Sequence, residues 1–159
     1  METYRRIEGL VDFIAGGCTN AAEIGVGCFP DVVYALQGKG LRIFATDIKP
    51  FKYDGIRVFV DDVTGPDISL YRCVDLIYSM RPPPELVPYI MRLAEMVSAD
   101  LIIKPLSSDY VKGLSLMRYG GVIFFIWSGH FRRYPRENGN LIKRRMDARL
   151  RTSGMAIKG

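Results

Sequence analysis

The sequence predicts an α/β fold, a single mostly parallel sheet with helices on both faces. Two observations carry that expectation. Strand-sized apolar runs alternate with segments of helical periodicity along the 159 residues. The runs are apolar nearly throughout, not at every second residue, as in strands covered on both faces. A third observation marks a site: unusual polar residues gather where these runs end.

Taken in order, Ile7, Leu10, Val11 and Ile14 recur at helical spacing, which predicts an amphipathic helix over residues 2–15 ended by Gly16-Gly17. Residues 19–24 form a first strand. Pro30 or Asp31 starts the next helix, with Val32, Val33 and Leu36 inward and Gly38 or Gly40 at its end. Residues 41–46 make a second strand, ending in Asp47, and residues 56–60 a third, ending in Asp61-Asp62. Eight residues, 48–55, join these two strands. A parallel crossover usually takes about a dozen or more, so the helix there is reduced to a turn or lost.

Residues 74–78 form a fourth strand, followed by Ser79-Met80-Arg81 and then Pro82-Pro83-Pro84, which must leave the sheet. Leu86, Ile90, Leu93, Ala94 and Val97 line a helix that tolerates Pro88 in its first turn. Residues 101–104 are a fifth strand. Residues 114–119 and 122–127 make a C-terminal hairpin about Gly120-Gly121.

Length and composition fit one domain with a real core: 48% of residues are hydrophobic and 25% charged. No apolar run approaches the ~20 residues of a membrane span, and the first residues lack the features of a signal peptide. A cytoplasmic protein with no membrane partner is expected. Cys18, Cys28 and Cys73 form no C-x-x-C pair and His130 is the sole histidine, so no metal site is expected. The thiols are expected to be reduced and mostly buried, with Cys28 either reactive or a packing residue of its loop.

The net charge of +5 is uneven. Residues 130–159 hold nine Lys/Arg against Glu137 and Asp147, or +7, which leaves −2 for the preceding chain. The expected division is a folded domain over 1–129 and a basic tail over 130–159, partly disordered or a short helix. Arg145 and Arg149, four apart, would share a face of such a helix and neutralise phosphates of an RNA. The alternative is a solvated segment.

In a doubly wound sheet, ligands bind outside the carboxyl ends of the strands, where the strand order reverses. Glu23-Ile24-Gly25-Val26-Gly27 closes the first strand there. Its glycines allow close backbone approach, and the helix that follows offers free N–H groups to negative charge. Pro30 replaces the third glycine of a dinucleotide fingerprint, which argues against a dinucleotide. Asp47, twenty residues after Gly27, is placed to accept from both hydroxyls of a ribose, or else closes a turn. Asp61 and Asp62 are candidates to accept from an adenine amino group. Ser79 and Arg81 lie where a substrate would approach. Arg81 either clamps a phosphate or carboxylate or makes a salt bridge to a strand-end acid.

This spacing resembles the Rossmann-like S-adenosylmethionine-dependent methyltransferases, with Glu23 to Gly27 as the first motif, Asp47 as the second and Asp61 or Asp62 as the third. The phrases Ala45-Thr46-Asp47-Ile48-Lys49-Pro50, Asp75-Leu76-Ile77-Tyr78-Ser79-Met80-Arg81-Pro82-Pro83 and Asp100-Leu101-Ile102-Ile103-Lys104-Pro105-Leu106 resemble a small, mainly archaeal family of uncharacterised proteins with that fold. The likeness covers about Ile7 to Trp127 and has no counterpart for the basic tail. It implies S-adenosylmethionine as the cofactor, held by Glu23, Gly25, Gly27, Asp47, Asp61 and Asp62, and a methyltransferase whose acceptor is unidentified. Two departures bear on activity. Phe29 replaces the usual third glycine, at the methionine end of the cofactor. Arg81-Pro82-Pro83-Pro84 lacks the Asp/Asn and the aromatic residue of the amino-methylating motif, so no catalytic residue is assigned. The other reading is a degenerate nucleotide- or RNA-binding module without catalysis. An NAD dehydrogenase fits least well.

Overall fold

The computed structural model describes residues 2–106, 111–128 and 134–136, with side chains of the first helix described from Ile7 onward. The chain runs α1 (Glu2–Ala15), β1 (Asn20–Ile24), α2 (Asp31–Gly38), β2 (Arg42–Asp47), β3 (Val58–Val60), β4 (Leu76–Met80), α3 (Val87–Met96), β5 (Asp100–Lys104), β6 (Ser115–Tyr119) and β7 (Val122–Trp127). Short 3₁₀ turns at Ile68–Tyr71 and Pro84–Leu86 precede β4 and α3.

One seven-stranded sheet has the order β3-β2-β1-β4-β5-β7-β6. The first five strands are parallel, and β7 enters antiparallel to β5 with β6 as its hairpin partner. This is a Rossmann-like sheet of the methyltransferase type. A dinucleotide sheet in the order 3-2-1-4-5-6 has a parallel strand where β7 stands.

The period of two along each strand divides the core. Ala21, Leu76, Tyr78, Ile102, Phe124 and Ile126 face α1 and α2. Ala22, Ile24, Ile77, Leu101, Ile103 and Phe125 face α3 and the Ile68–Tyr71 turn. Both faces are covered, which is why the strands are apolar on both sides. Helix α1 crosses so close to the hairpin that a Cβ on Gly9 would lie 2.5 Å from the Tyr119 carbonyl oxygen.

The shortened second crossover has no helix. A bridge between Tyr53 and Ile56 folds it back, and Phe51, Tyr53 and Ile56 pack with Val26, Val33 and Ala45 in the helix's place. Helix α2 holds the turn: Tyr34 Oη donates to the Asp54 carbonyl and Gln37 Nε2 to that of Gly55, both at 2.8 Å. Ile56 is taken up in this cluster, so β3 begins two residues later than the apolar run suggests. The fourth strand is displaced in the same direction, by two residues at both ends. It runs on to Met80, which places Ser79 inside the sheet.

At the amino end of the sheet, acids secure the strands. Asp75 Oδ2 accepts from Thr19 N (3.2 Å), Thr19 Oγ1 (2.9 Å) and Asn20 N (3.1 Å). Buried Asp100 accepts the Tyr134 hydroxyl at 2.8 Å, and the Tyr134 ring stacks on Phe13 with centroids 4.8 Å apart. Tyr134 is therefore a core residue, although it follows the boundary drawn at 129. The rest of the expected tail, 130–133 and 137–159, with Arg145 and Arg149, lies outside the described residues. The thiol expectation holds for one of three: Cys18 is buried, whereas Cys28 and Cys73 are exposed. No described helix is long and apolar enough to cross a membrane.

Candidate functional site

The carboxyl ends of β1 and β2 are tied into one unit. Gly25 and Gly27 have φ of 74° and 53°, a region that glycine enters without cost, and this turns the chain sharply from β1 into α2. The Gly25 and Val26 amides donate to the Thr46 carbonyl at 2.8 and 3.2 Å. Asp47 Oδ2 accepts the Gly27 N–H at 2.9 Å, and Oδ1 accepts the Lys49 N–H at 3.0 Å. Tyr53 Oη donates to the Gly27 carbonyl. Asp47 thus closes a turn and braces the glycine loop. Each of its oxygens keeps a lone pair, so bracing leaves acceptor capacity for a ligand. The space before the loop is open: a Cβ on Gly25 would meet nothing within 4 Å.

Glu23 lies beneath this loop with none of its surface exposed. It pairs in register with Tyr78 on β4 and Ala45 on β2, on the face covered by α1 and α2. Neither of its oxygens nor the Tyr78 hydroxyl makes a hydrogen bond of full geometry, although the phenol lies close enough to the carboxyl to interact with it. Burial pushes the Glu23 carboxyl up to about 8; the Tyr78 hydroxyl opposes that and the Asp47 charge adds to it. Burial and the Glu23 charge likewise hold the Tyr78 hydroxyl well above its ordinary value. A fully buried carboxyl with no well-formed hydrogen bond is costly unless a nearby ligand or charge compensates it.

Asp61 also braces the fold. Its Oδ1 accepts the Asp67 N–H at 3.0 Å and its Oδ2 the Tyr71 hydroxyl at 2.7 Å, with Thr46 Oγ1 3.2 Å from the same phenol. Its own N–H donates to the Asp47 carbonyl. Asp61 fastens the 3₁₀ turn to the site's floor. Asp62 closes its own turn, with Oδ1 accepting the Thr64 hydroxyl (2.7 Å) and N–H (2.9 Å), and these bonds lower its pKa.

Ser79 is buried and donates to the Ile24 carbonyl at 2.7 Å. Its hydroxyl joins β4 to β1. Arg81 lies on the rim. Its φ of 54° is unusual for a non-glycine residue and is fixed by a 2.7 Å bond from its N–H to the Lys104 carbonyl. Its guanidinium sits 5.7 Å from the centroid of Phe29. The salt bridge to a strand-end acid does not form among the described residues. Phe29, at the third glycine position, packs against the α1-side core and carries Arg81 on its ring.

Two residues were missed from sequence. Ile48 and Val60 flank Asp47 on the rim, 64% and 61% exposed. Their signal was an apolar residue directly after a strand-end acid and another at the end of an edge strand, where solvent normally selects polar groups. Among the described residues, no cluster of His, Cys, Asp or Glu has the makings of a metal site.

Residues 7–128 match an uncharacterised protein family, UPF0146. The chain is 39% identical over 119 residues to a UPF0146 protein of Archaeoglobus fulgidus, covering 74% of this chain and 91% of that one. It is 41% identical over 128 residues to a UPF0146 protein of Methanocaldococcus jannaschii, covering 74% and 93%. Among solved structures, a protein from Rhodobacter sphaeroides reported as a candidate Zn-dependent alcohol dehydrogenase superposes at TM-score 0.50, with 13% identity, over 69% of this chain and 55% of that chain. An S-adenosylmethionine-dependent methyltransferase from Archaeoglobus fulgidus gives TM-score 0.47, 18% identity, 64% and 49%. The chain spans about half of each structure, and at 13% identity the likeness to the first is one of fold alone.

Proposed function

The chain belongs to the UPF0146 family, and we propose that it binds S-adenosylmethionine at the glycine loop. The observation that carries the reading is the Asp47 carboxylate bonded to Gly27 N–H at 2.9 Å, which ties the end of β2 to the glycine loop after β1, the strand that borders β4 where the strand order reverses. A nucleoside set over the open face of Gly25 would place its ribose hydroxyls at the remaining lone pairs of Asp47. Exposed Ile48 and Val60 suit the flat apolar face of a base. Asp61 and Asp62 are the candidates for the base's amino group; among the described residues Asp62 Oδ2 makes no hydrogen bond, and each Asp61 oxygen keeps one lone pair.

Glu23 fits the other end of the molecule. Its orphaned carboxyl beneath the loop favours a cation above it, and the cofactor carries an ammonium and a sulfonium. When bound, that sulfonium supplies a methyl group activated toward a nucleophile. The residues of this chain bind and orient it, and the acceptor is not assigned. S-adenosylmethionine and S-adenosylhomocysteine should both bind by calorimetry and raise the melting temperature, with NAD and ATP weaker. A folded protein that binds neither sulfur nucleoside would sink this reading. A second reading concerns the basic segment, favoured by the charge of +7 over residues 130–159: salt-dependent RNA binding that weakens on truncation after Arg136, which removes a net +4. Unchanged RNA binding after truncation excludes it.

A further inference from the structure

Farther along the same rim, the chain leaving β4 and the chain leaving β5 enclose a cavity of about 790 Å³. Pro82, Pro83, Val87, Met91, Ile103 and Leu106 form its walls. Small-molecule sites span about 300–1,000 Å³ and are mostly apolar with a few placed polar groups. The charged residues lining this one are Arg81 and Lys112, and no acid lines it among the described residues. A smaller recess of about 370 Å³ shares Arg81, Pro105 and Leu106 with it and adds Lys104.

Arg81 and Lys104 are held together by backbone: Met80 pairs with Lys104 in the sheet, and the Arg81 N–H bonds the Lys104 carbonyl. No described carboxylate forms an ion pair with either side chain. Burial first, and then the neighbouring Arg81 charge, hold the Lys104 ammonium below its ordinary value. Arg81 borders both recesses and Lys104 borders the smaller one, so the pair marks the boundary where the two recesses meet; like charges so close are unfavourable alone and become favourable with an anion between them.

We propose that this cavity binds a small amphiphilic anion, with its carboxylate or phosphate between Arg81 and Lys104 and its apolar body against the prolines, Met91 and Ile103. A neutral apolar ligand would leave the cation pair unbalanced, and a cationic one would be repelled. Because Arg81 rests on Phe29 of the glycine loop, the two sites are neighbours. Binding does not depend on a cofactor at that loop; only a role for the anion as methyl acceptor rests on the proposed function.

The test is calorimetric titration of the full chain with decanoate, decan-1-ol and decyltrimethylammonium below their micellar concentrations. Decanoate should bind tightest. The double variant R81Q/K104M should weaken decanoate by about tenfold or more, as loss of charge-assisted bonds does, while changing decan-1-ol by less than about twofold. Met91→Trp, which fills the cavity, should weaken both, and Val87→Phe serves the same purpose if the first variant is not folded by circular dichroism. Asp47→Ala should weaken S-adenosylhomocysteine and leave decanoate unchanged, so either site can fail alone. Equal affinity for the three probes, no binding of decanoate, or decanoate binding that survives both kinds of variant overturns the proposal.

Discussion

At the amino end of the sheet, Asp75 takes three donors from Thr19 and Asn20, and buried Asp100 takes the Tyr134 hydroxyl. At the carboxyl end, Glu23 has no hydrogen-bond partner, and Arg81 and Lys104 form no ion pair with a described carboxylate. Both rims hold charged residues on the same strands. At the first rim their bonding capacity is spent on the fold, and at the second it is left over. Such residual capacity costs stability, and a binding site is where a protein recovers that cost. Asp47 stands between the two cases, bracing the loop with one lone pair of each oxygen and keeping the other.

Substitutions at the two rims should therefore separate stability from affinity. The largest effect concerns Glu23, whose carboxyl is raised from 4.5 to about 8 in the folded chain. The folded state then holds a proton that the unfolded state has released, so stability falls as pH rises through that window and levels off above it. Glu23→Gln should match wild type near pH 4 and exceed it by about 4 kcal/mol at pH 9, read by urea unfolding. A parallel pH dependence in the variant would show that Glu23 is not the group. The same ionisation should make affinity for S-adenosylmethionine rise from pH 6 to 8 in wild type and not in Glu23→Gln.

Next in size is Asp100→Ala, which leaves the Tyr134 hydroxyl buried without its acceptor. It should cost about 3 kcal/mol of stability with cofactor affinity unchanged. Asp47→Ala inverts that pattern, losing about 2 kcal/mol of cofactor affinity, some thirtyfold, for about 1 kcal/mol of stability. The smallest is Ser79→Ala, about 1 kcal/mol by unfolding and nothing in ligand binding. A loss of affinity there would return Ser79 to the substrate side and blur the distinction between the rims.

The sequence shows the layers of this fold clearly, because strands buried on both faces must be apolar and helices must repeat at 3.6 residues. Helix α1 spans the predicted residues 2–15, and the missing second-crossover helix follows from chain length alone. What the sequence leaves hidden are the bonds that polar groups make across the fold. Ser79 reads as a strand-end residue because it is polar, yet its hydroxyl is paid for by the Ile24 carbonyl of the neighbouring strand. Asp61 reads as a ligand for a base, but its partners Asp67 and Tyr71 come from a 3₁₀ turn with no periodicity to reveal it. Glu23 was legible as part of the glycine motif, whereas its complete burial depends on Tyr78 and Ala45, which only the register brings alongside. The Arg81–Lys104 pair is likewise a product of register, across residues far apart in the chain.

The most direct measurement is a pair of calorimetric titrations with S-adenosylhomocysteine, one into Asp47→Ala and one into Asp75→Ala, each at a temperature where the variant is folded. Loss of binding in the Asp47 variant, with wild-type affinity in the Asp75 variant, is the predicted result. Wild-type affinity in Asp47→Ala, or an equal loss in both, would contradict a site at the carboxyl end of the sheet.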